Sequence, residues 1–444
     1  MTLERLPARD TLARLRDNKH RIYPSEKRGA ERLMPFARPA VKAGFRFGPE
    51  AKIFATGSCF ARNVEKSLRF IGANVVSSPT DIPVPSGATQ VFQLYNKYTV
   101  HSILNEFRWA LGGAPVDHAA TLIPDAQGNY YDMQVAASSD ITGDRATMTA
   151  FRAAYNASFS RAAEADVVIL TLGLVECWYD LETGLYLNMA PPKPLLDAHP
   201  DRFEFHLLDH DDVYRALCDI HALLTEGRAN PPRLLVTVSP VGLAATFREM
   251  DVLVANSYSK SVQRAAVEAF VLSHDASYFP SYEYVTLTDR KFAWGNKDFR
   301  HVRQETVDRI MADVLEAYVG PSPEQRLLHV RGHAQAHFDA DDHDTVAALI
   351  EPYLAEMGDE PELLWLLARS ERARGNWEQS VDVCRRLIAL EPEGLLKSAG
   401  RTALNTLAMI LKKGDDSAAP QLAEMADWYR AQFPEDADFV KKFA

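Results

Sequence analysis

Two short segments carry residue types that can do chemistry together. Gly57-Ser58 stands where the apolar run AKIFATG (51–57) gives way to SCFARNVEKSLRFIGA (58–73). Apolar residues at 60, 64, 68 and 71 suit a helix with one buried face. A serine at such a junction projects from the carboxyl edge of a sheet, where open α/β folds bind ligands. Its hydroxyl also meets a helix N-terminus, whose free N–H groups favour an oxyanion. Alone, the same serine is better read as a simple helix N-cap. The second segment is Asp298-Phe299-Arg300-His301. A serine nucleophile needs a base, and an imidazole needs a carboxylate to fix its tautomer. An Asp three residues before a His supplies both from one turn, although an isolated DxxH is more often a cap.

Other reactive residues carry less. Cys59 adjoins Ser58, and a thiolate at a helix N-terminus can be nucleophilic, but adjacent residues point in different directions. His329, His333 and His337 recur at four-residue spacing; with no acidic ligand fixed beside them they read as a solvated helix face, and no metal is expected. Trp178 and Tyr179 either floor a pocket or pack against a neighbouring insertion. No glycine-rich phosphate loop is present, so neither nucleotide nor any other cofactor is expected.

The elements that would position Ser58 and His301 follow from hydrophobic patterning. ADVVILTLG (165–173) and RLLVTVSPV (233–241) are continuous apolar runs, as in parallel strands buried on both faces. ANVVSS (73–78) and YFPSYEYVTL (278–287) read as further strands. Residues 92–112 read as helical in their second half, 211–227 and 258–274 as crossover helices, and 302–320 as a closing helix. TLIPDAQGNYYDMQV resembles a hairpin about Gly128-Asn129, inside a 113–160 insertion that would cap a site. Strand–helix alternation predicts a three-layer αβα sandwich with a parallel sheet, of the flavodoxin-like kind, over 45–320. Residues 1–44 read as an irregular lead-in.

Residues 322–444 read as all-helical. PELLWLLARSERARGNWEQSVDVCRRLIALEP (361–392) resembles the tetratricopeptide repeat, with helix-like flanks on both sides. A generic helical bundle is the other reading. Across the 444 residues, 49 Lys+Arg against 60 Asp+Glu leave a net charge of −11, which argues against broad nucleic-acid binding. Four scattered cysteines form no disulfide framework. With no apolar leader and no run long enough to span a membrane, a cytoplasmic protein is expected.

The ordered motifs resemble one family. Gly57-Ser58-Cys59-Phe60-Ala61 reads GSCFA, the motif that names the GSCFA family, grouped with the SGNH/GDSL hydrolases, in which the serine comes early and the Asp and His come together late. Tyr95-Asn96, Thr171-Leu172-Gly173, Val238-Ser239-Pro240-Val241, Asn256 with Ser259-Lys260, and Tyr278 to Glu283 resemble further family motifs in the same order, over about residues 45–320. The family's NCHK segment is reduced to Asn188-Met189, Gly242-Leu243 replace the Arg-His after VSPV, and Val302 replaces the proline after the final His.

The resemblance implies a serine esterase or O-acyl transferase: Ser58 as nucleophile, His301 as base and then acid, Asp298 as its orienter. Oxyanion donors would be the Ser58 N–H, Gly173 and Asn96. Glu176 stands where SGNH enzymes carry an Asn; with Asn188, Asn256 and Lys260 it is assigned to substrate, Glu176 alternatively anchoring a loop and Lys260 alternatively lying on the surface. The implied acyl group is acetyl and its carrier a carbohydrate. The competing expectation is a degenerate hydrolase fold that acts as a binding or scaffold protein through its helical tail, which would recruit a partner or self-associate.

Overall fold

The computed structural model describes residues 3–48, 50–77, 82, 84–85, 94–136, 141–295, 298–320 and 322–443. The chain divides into two units, Met1–Gly320 and Pro321–Ala444.

In the first unit, α1 (Ala8–Asp17) buries no residue. β1 (Lys52–Gly57) runs into α2 (Cys59–Phe70), followed by β2 (Asn74–Val75) and α3 (Val100–Leu111). Next come β3 (Leu122–Pro124), β4 (Tyr130–Asp132), β5 (Thr142–Gly143) and α4 (Arg145–Phe159). β6 (Val167–Leu172) precedes β7 (Glu176–Asp180), β8 (Leu185–Tyr186), α5 (Lys193–Ala198) and β9 (Phe203–Leu207). The unit closes with α6 (His210–Thr225), β10 (Arg233–Val238), α7 (Val252–Ser273), β11 (Ala276–Tyr278), α8 (Ser281–Leu287), α9 (Arg290–Ala293) and α10 (Gln304–Tyr318).

Five parallel strands form the central sheet in the order β11-β10-β6-β1-β2. β6, with six buried residues in a row, is its middle strand, so both of its faces meet apolar side chains and the continuous Val-Val-Ile-Leu run follows. From β1 the chain goes outward to β2 and then returns across β1 to β6. The carboxyl ends of β1 and β6 therefore form a topological switch point, the place where open parallel sheets leave a crevice. Gly57, the last residue of β1, pairs with Thr171 there.

The sheet differs from expectation in three places. Within 278–287 only Tyr278 belongs to β11, and residues 281–287 form α8. Pro280 has no N–H to give a ladder, and the Ser281 hydroxyl turns back onto Thr237 Oγ1 at 2.6 Å and the Val238 carbonyl at 3.0 Å. Residues 176–207 hold an unanticipated antiparallel sheet in the order β8-β7-β9. The hairpin about Gly128 forms, but α4 does not stand off as a cap: Met148, Phe151, Tyr155 and Phe159 join Phe54 and Leu170 in the main core.

The second unit is entirely helical among the described residues: α11 (Pro323–Asp339), α12 (His343–Met357), α13 (Pro361–Arg374), α14 (Trp377–Ala389), α15 (Leu396–Lys412), α16 (Ala418–Gln432) and α17 (Ala437–Val440). Each packs on the next around Leu363, Leu367, Val381, Leu387, Leu404 and Leu407. Gly375 ends α13 at φ 83, the left-handed cap that lets α14 reverse direction. The three spaced histidines do not form a solvated face, because His333 is buried and the His337 ring bonds Asp342. No helix among the described residues is long and apolar enough to cross a membrane.

Candidate active site

Ser58 is placed by the switch point. Gly57 has φ 132, and a Cβ there would lie 2.1 Å from the Thr171 carbonyl oxygen, so only glycine lets the strand end approach β6 so closely. The turn delivers Ser58 to the N-cap of α2, where its hydroxyl accepts from the Phe60 N–H at 3.3 Å and lies 3.4 Å from Thr171 Oγ1. Both contacts are near the limit of a hydrogen bond and hold the hydroxyl weakly. Ser58 is 3% exposed. The neighbouring Cys59 thiol is pushed up by burial, with Arg300 and Lys260 opposing, which keeps it a thiol rather than a thiolate.

Asp298 and His301 form one hydrogen-bonded turn. Asp298 Oδ1 accepts the N–H groups of Arg300 at 3.1 Å and His301 at 2.8 Å, and Oδ2 meets His301 Nδ1 at 2.6 Å. These bonds, the His301 backbone N–H first, hold the Asp298 carboxyl well below the usual carboxylate range. His301 Nε2 lies 3.2 Å from the Arg300 guanidinium. A guanidinium can only donate, so Nε2 is the acceptor and Nδ1 carries the proton toward Asp298. This is the tautomer a general base requires, with its lone pair on Nε2, here taken up by Arg300. Among the described residues no hydrogen bond joins His301 to Ser58; the imidazole is half-exposed and faces Arg300. Arg300 is near enough to Cys59 and Tyr98 for its charge to act on both.

Beside Ser58 the chain bridges twice more, Gly57 to Asn96 and Thr99 to Leu174. The three strand ends 57–58, 96–99 and 173–174 thus lie side by side. The Ser58 N–H, expected to face an oxyanion, donates instead to the Thr171 carbonyl at 3.1 Å and is committed to the sheet. The Gly173 N–H makes no hydrogen bond among the described residues. Asn96 is 2% exposed; its Nδ2 reaches Tyr98 Oη only at 3.5 Å and its Oδ1 has no partner. Two donors therefore remain available where the strands converge.

The four residues assigned to substrate from the sequence are occupied by the protein. Glu176 accepts from Thr246 Oγ1 at 2.7 Å and the Phe247 N–H at 2.9 Å. Asn256 Oδ1 accepts the Leu243 N–H at 3.1 Å. Together they pin the 243–247 loop. Asn188 holds the Asn96 strand end, donating to the Asn96 carbonyl at 2.9 Å and accepting the Tyr98 N–H at 2.7 Å. Lys260 is fully buried rather than on the surface, and its ammonium donates to the Gly173 carbonyl at 2.7 Å beside Gln263 Nε2 at 3.0 Å. The Leu174 N–H donates to Tyr98 O at 2.8 Å, so the 173–174 peptide is fixed at both ends.

Burial lowers the Lys260 ammonium to about 7, with the Cys59 side chain opposing. Below that pH both folded and unfolded chains carry the charge, and folding bears the full desolvation penalty. Between about 7 and 10.5 only the unfolded chain holds the proton, so stability rises with pH across that window. Lys260→Met removes the dependence. Urea unfolding from pH 7.5 to 9.5 is expected to show the wild type gaining about 1.4 kcal/mol per pH unit relative to the variant. Parallel curves would contradict a neutral buried lysine.

Sequence reasoning missed an ionic cluster that holds the same region. Lys97, directly after Asn96, bonds Glu106 at 2.5 Å and the Gln134 carbonyl at 2.5 Å. Arg152 bonds the other Glu106 oxygen at 2.5 Å and Asp132 at 3.1 Å. All four charged side chains are buried. Burial alone would push the Glu106 carboxyl up, but Arg152 and Lys97 outweigh it and hold it low. No local spacing announces the cluster, because its members come from α3, β4, α4 and the strand end at 97.

The fold and the site define the class no further than this: a parallel α/β protein with a serine at its switch point and an Asp–His turn before the helix that closes its first unit. The GSCFA family model matches residues 52–313, and the chain belongs to the GSCFA family. Comparison with curated proteins and with solved structures finds no match.

Proposed function

We propose that this protein is a serine esterase or O-acyl transferase of SGNH type, its sheet the middle layer of an αβα sandwich and its tail tetratricopeptide-like. The observation that carries the reading is the Asp298–His301 pair, whose hydrogen bonds leave Nε2 as a lone-pair acceptor on the loop bearing Arg300. Ser58 Oγ attacks an acyl carbonyl while His301 Nε2 takes its proton. The oxyanion meets the Gly173 N–H and Asn96 Nδ2. His301 then returns the proton to the departing alcohol, and the acyl group passes from Ser58 to water or to another hydroxyl. The resemblance makes acetyl on a carbohydrate the first substrate to try.

The chemistry requires two rearrangements. Arg300 must turn away from Nε2, and Ser58 must leave its two long contacts as the 298–301 loop closes over it. Half-exposed Asp298 and His301 leave that loop room to move, and catalytic hydrogen bonds commonly tighten only with substrate bound. The second reading is a degenerate hydrolase serving as a binding protein. It draws on Ser58 being buried and bonded as a simple N-cap.

Turnover of p-nitrophenyl acetate by the full chain separates them. Asp298→Asn is expected to lower kcat on the order of 10³–10⁴-fold, because the amide no longer fixes the imidazole tautomer. A wild-type rate indistinguishable from buffer, or an unaffected Asp298→Asn rate, would favour the binding protein.

A further inference from the structure

An apolar cavity of about 220 Å³ opens beside the converged strand ends and is lined by Tyr98, Leu174, Trp178, Leu187, Ala245 and Phe247 among others. Gly173, Asn96 and Ser58 are not among its lining residues, but two that are adjoin the proposed oxyanion donors: Leu174 directly follows Gly173, and Tyr98 Oη lies 3.5 Å from Asn96 Nδ2. Its outer wall is the 243–247 loop, fixed by the buried Glu176 carboxylate and by Asn256. A buried carboxylate committed to one surface loop holds a wall with Ala244 and Ala245 exposed and Phe247 54% exposed. Trp178 stacks edge-on against Phe247 at 5.2 Å and presents a buried indole N–H with no hydrogen-bond partner.

We propose that this cavity binds the acyl chain of the substrate and selects esters of about four to six carbons over acetate. The inference rests on the hydrolase reading and replaces the acetyl group named there with a longer acyl chain. A water's share of liquid volume is about 30 Å³, so the space holds roughly seven water-sized groups, a methylene being of similar size. An acetyl methyl would leave most of it empty. A chain running from the carbonyl at Gly173 and Asn96 past Leu174 fills it, while the Phe247 ring covers the far end. Charged acyl chains are excluded by walls without a charged side chain other than Glu176, whose carboxylate is already bonded.

The test uses p-nitrophenyl acetate, butyrate, hexanoate and decanoate with the full-length protein and with Ala245→Phe, a substitution at an exposed position. Binding of hexanamide and acetamide is followed in parallel by saturation-transfer NMR. The expected result is kcat/KM rising about threefold per added methylene to hexanoate and falling at decanoate. In Ala245→Phe the preference returns to acetate and hexanamide binding is lost. Best turnover of acetate, or an unchanged profile in Ala245→Phe, overturns the pocket while leaving the hydrolase standing. If no ester is turned over but hexanamide binds and Ala245→Phe loses it, the hydrolase reading falls and the apolar site stands. Absence of both turnover and hexanamide binding overturns both.

Discussion

Ser58→Ala is expected to reduce ester turnover by about 10⁴-fold or more, with KM little changed. The serine supplies the atom that becomes acylated, so no neighbouring group can substitute at the same position. Cys59 does not take over, because burial keeps its thiol protonated. His301→Ala should cost about as much, and the double variant no more than either single one. Residues that act as one proton-transfer unit are strongly non-additive, and what survives comes from the oxyanion donors and binding. Multiplicative losses in the double variant would show that Ser58 and His301 act independently. Ser58→Ala should still fold, with a modest loss of stability. The lost cap bond is long, at 3.3 Å, and costs on the order of 1 kcal/mol.

The second large effect is on stability. Glu106→Ala is expected to destabilise the first unit by about 3–5 kcal/mol, seen as a large fall in the urea midpoint. Glu106 is fully buried and faces two cations, Lys97 at 2.5 Å and Arg152 at 2.5 Å, with Asn156 adding a bond at 2.9 Å. Removing it leaves two positive charges and one carboxylate, Asp132, inside the core. The ring faces of Tyr155, 5.0 Å from the Lys97 ammonium and 4.6 Å from the Arg152 guanidinium, cannot replace a carboxylate. Replacing the cations together with their partners by apolar residues of like volume should be far milder, since a buried ion cluster adds little net stability over good packing. A shift under about 1 kcal/mol for Glu106→Ala would mean water reaches the cluster. Because Lys97 adjoins Asn96, the same variant tests whether the cluster positions an oxyanion donor: kcat should fall more than KM rises.

The parallel sheet was legible because its strands advertise themselves. β1, β6 and β10 are runs of buried apolar residues, and both faces of a central parallel strand need them. The position of Ser58 at the end of β1 followed from the same logic, since Gly57 ends the run. Residues 278–287 misled because Tyr, Phe and Val favour strands, whereas the missing N–H of Pro280 and the Ser281 hydroxyl turn the chain into α8. β9 carries a period-two pattern, Phe203, Phe205 and Leu207, that was there to be read; its five residues are too short and too exposed to stand out. For the site, the Asp298–His301 turn was legible because three-residue spacing is local geometry. Lys260 and Asn188 were assigned to substrate from the family resemblance, and so was Glu176, whose alternative role of anchoring a loop is the one its bonds to Thr246 and Phe247 match. Which way a side chain faces depends on tertiary packing, and here each one faces the protein's own backbone or loop. The engagement of Arg300 with Nε2, and of the Ser58 N–H with Thr171, likewise depends on how distant segments dock.

The central claim is that Ser58 becomes an acyl-accepting nucleophile through His301, and covalent labelling addresses it most directly. The intact chain is treated with a fluorophosphonate and its peptides are analysed by mass spectrometry. One phosphonyl adduct is expected, on Ser58, lost when His301 is replaced by Ala and also lost after prior unfolding. An unmodified Ser58 in the folded protein, or equal labelling of the His301→Ala variant, would contradict it.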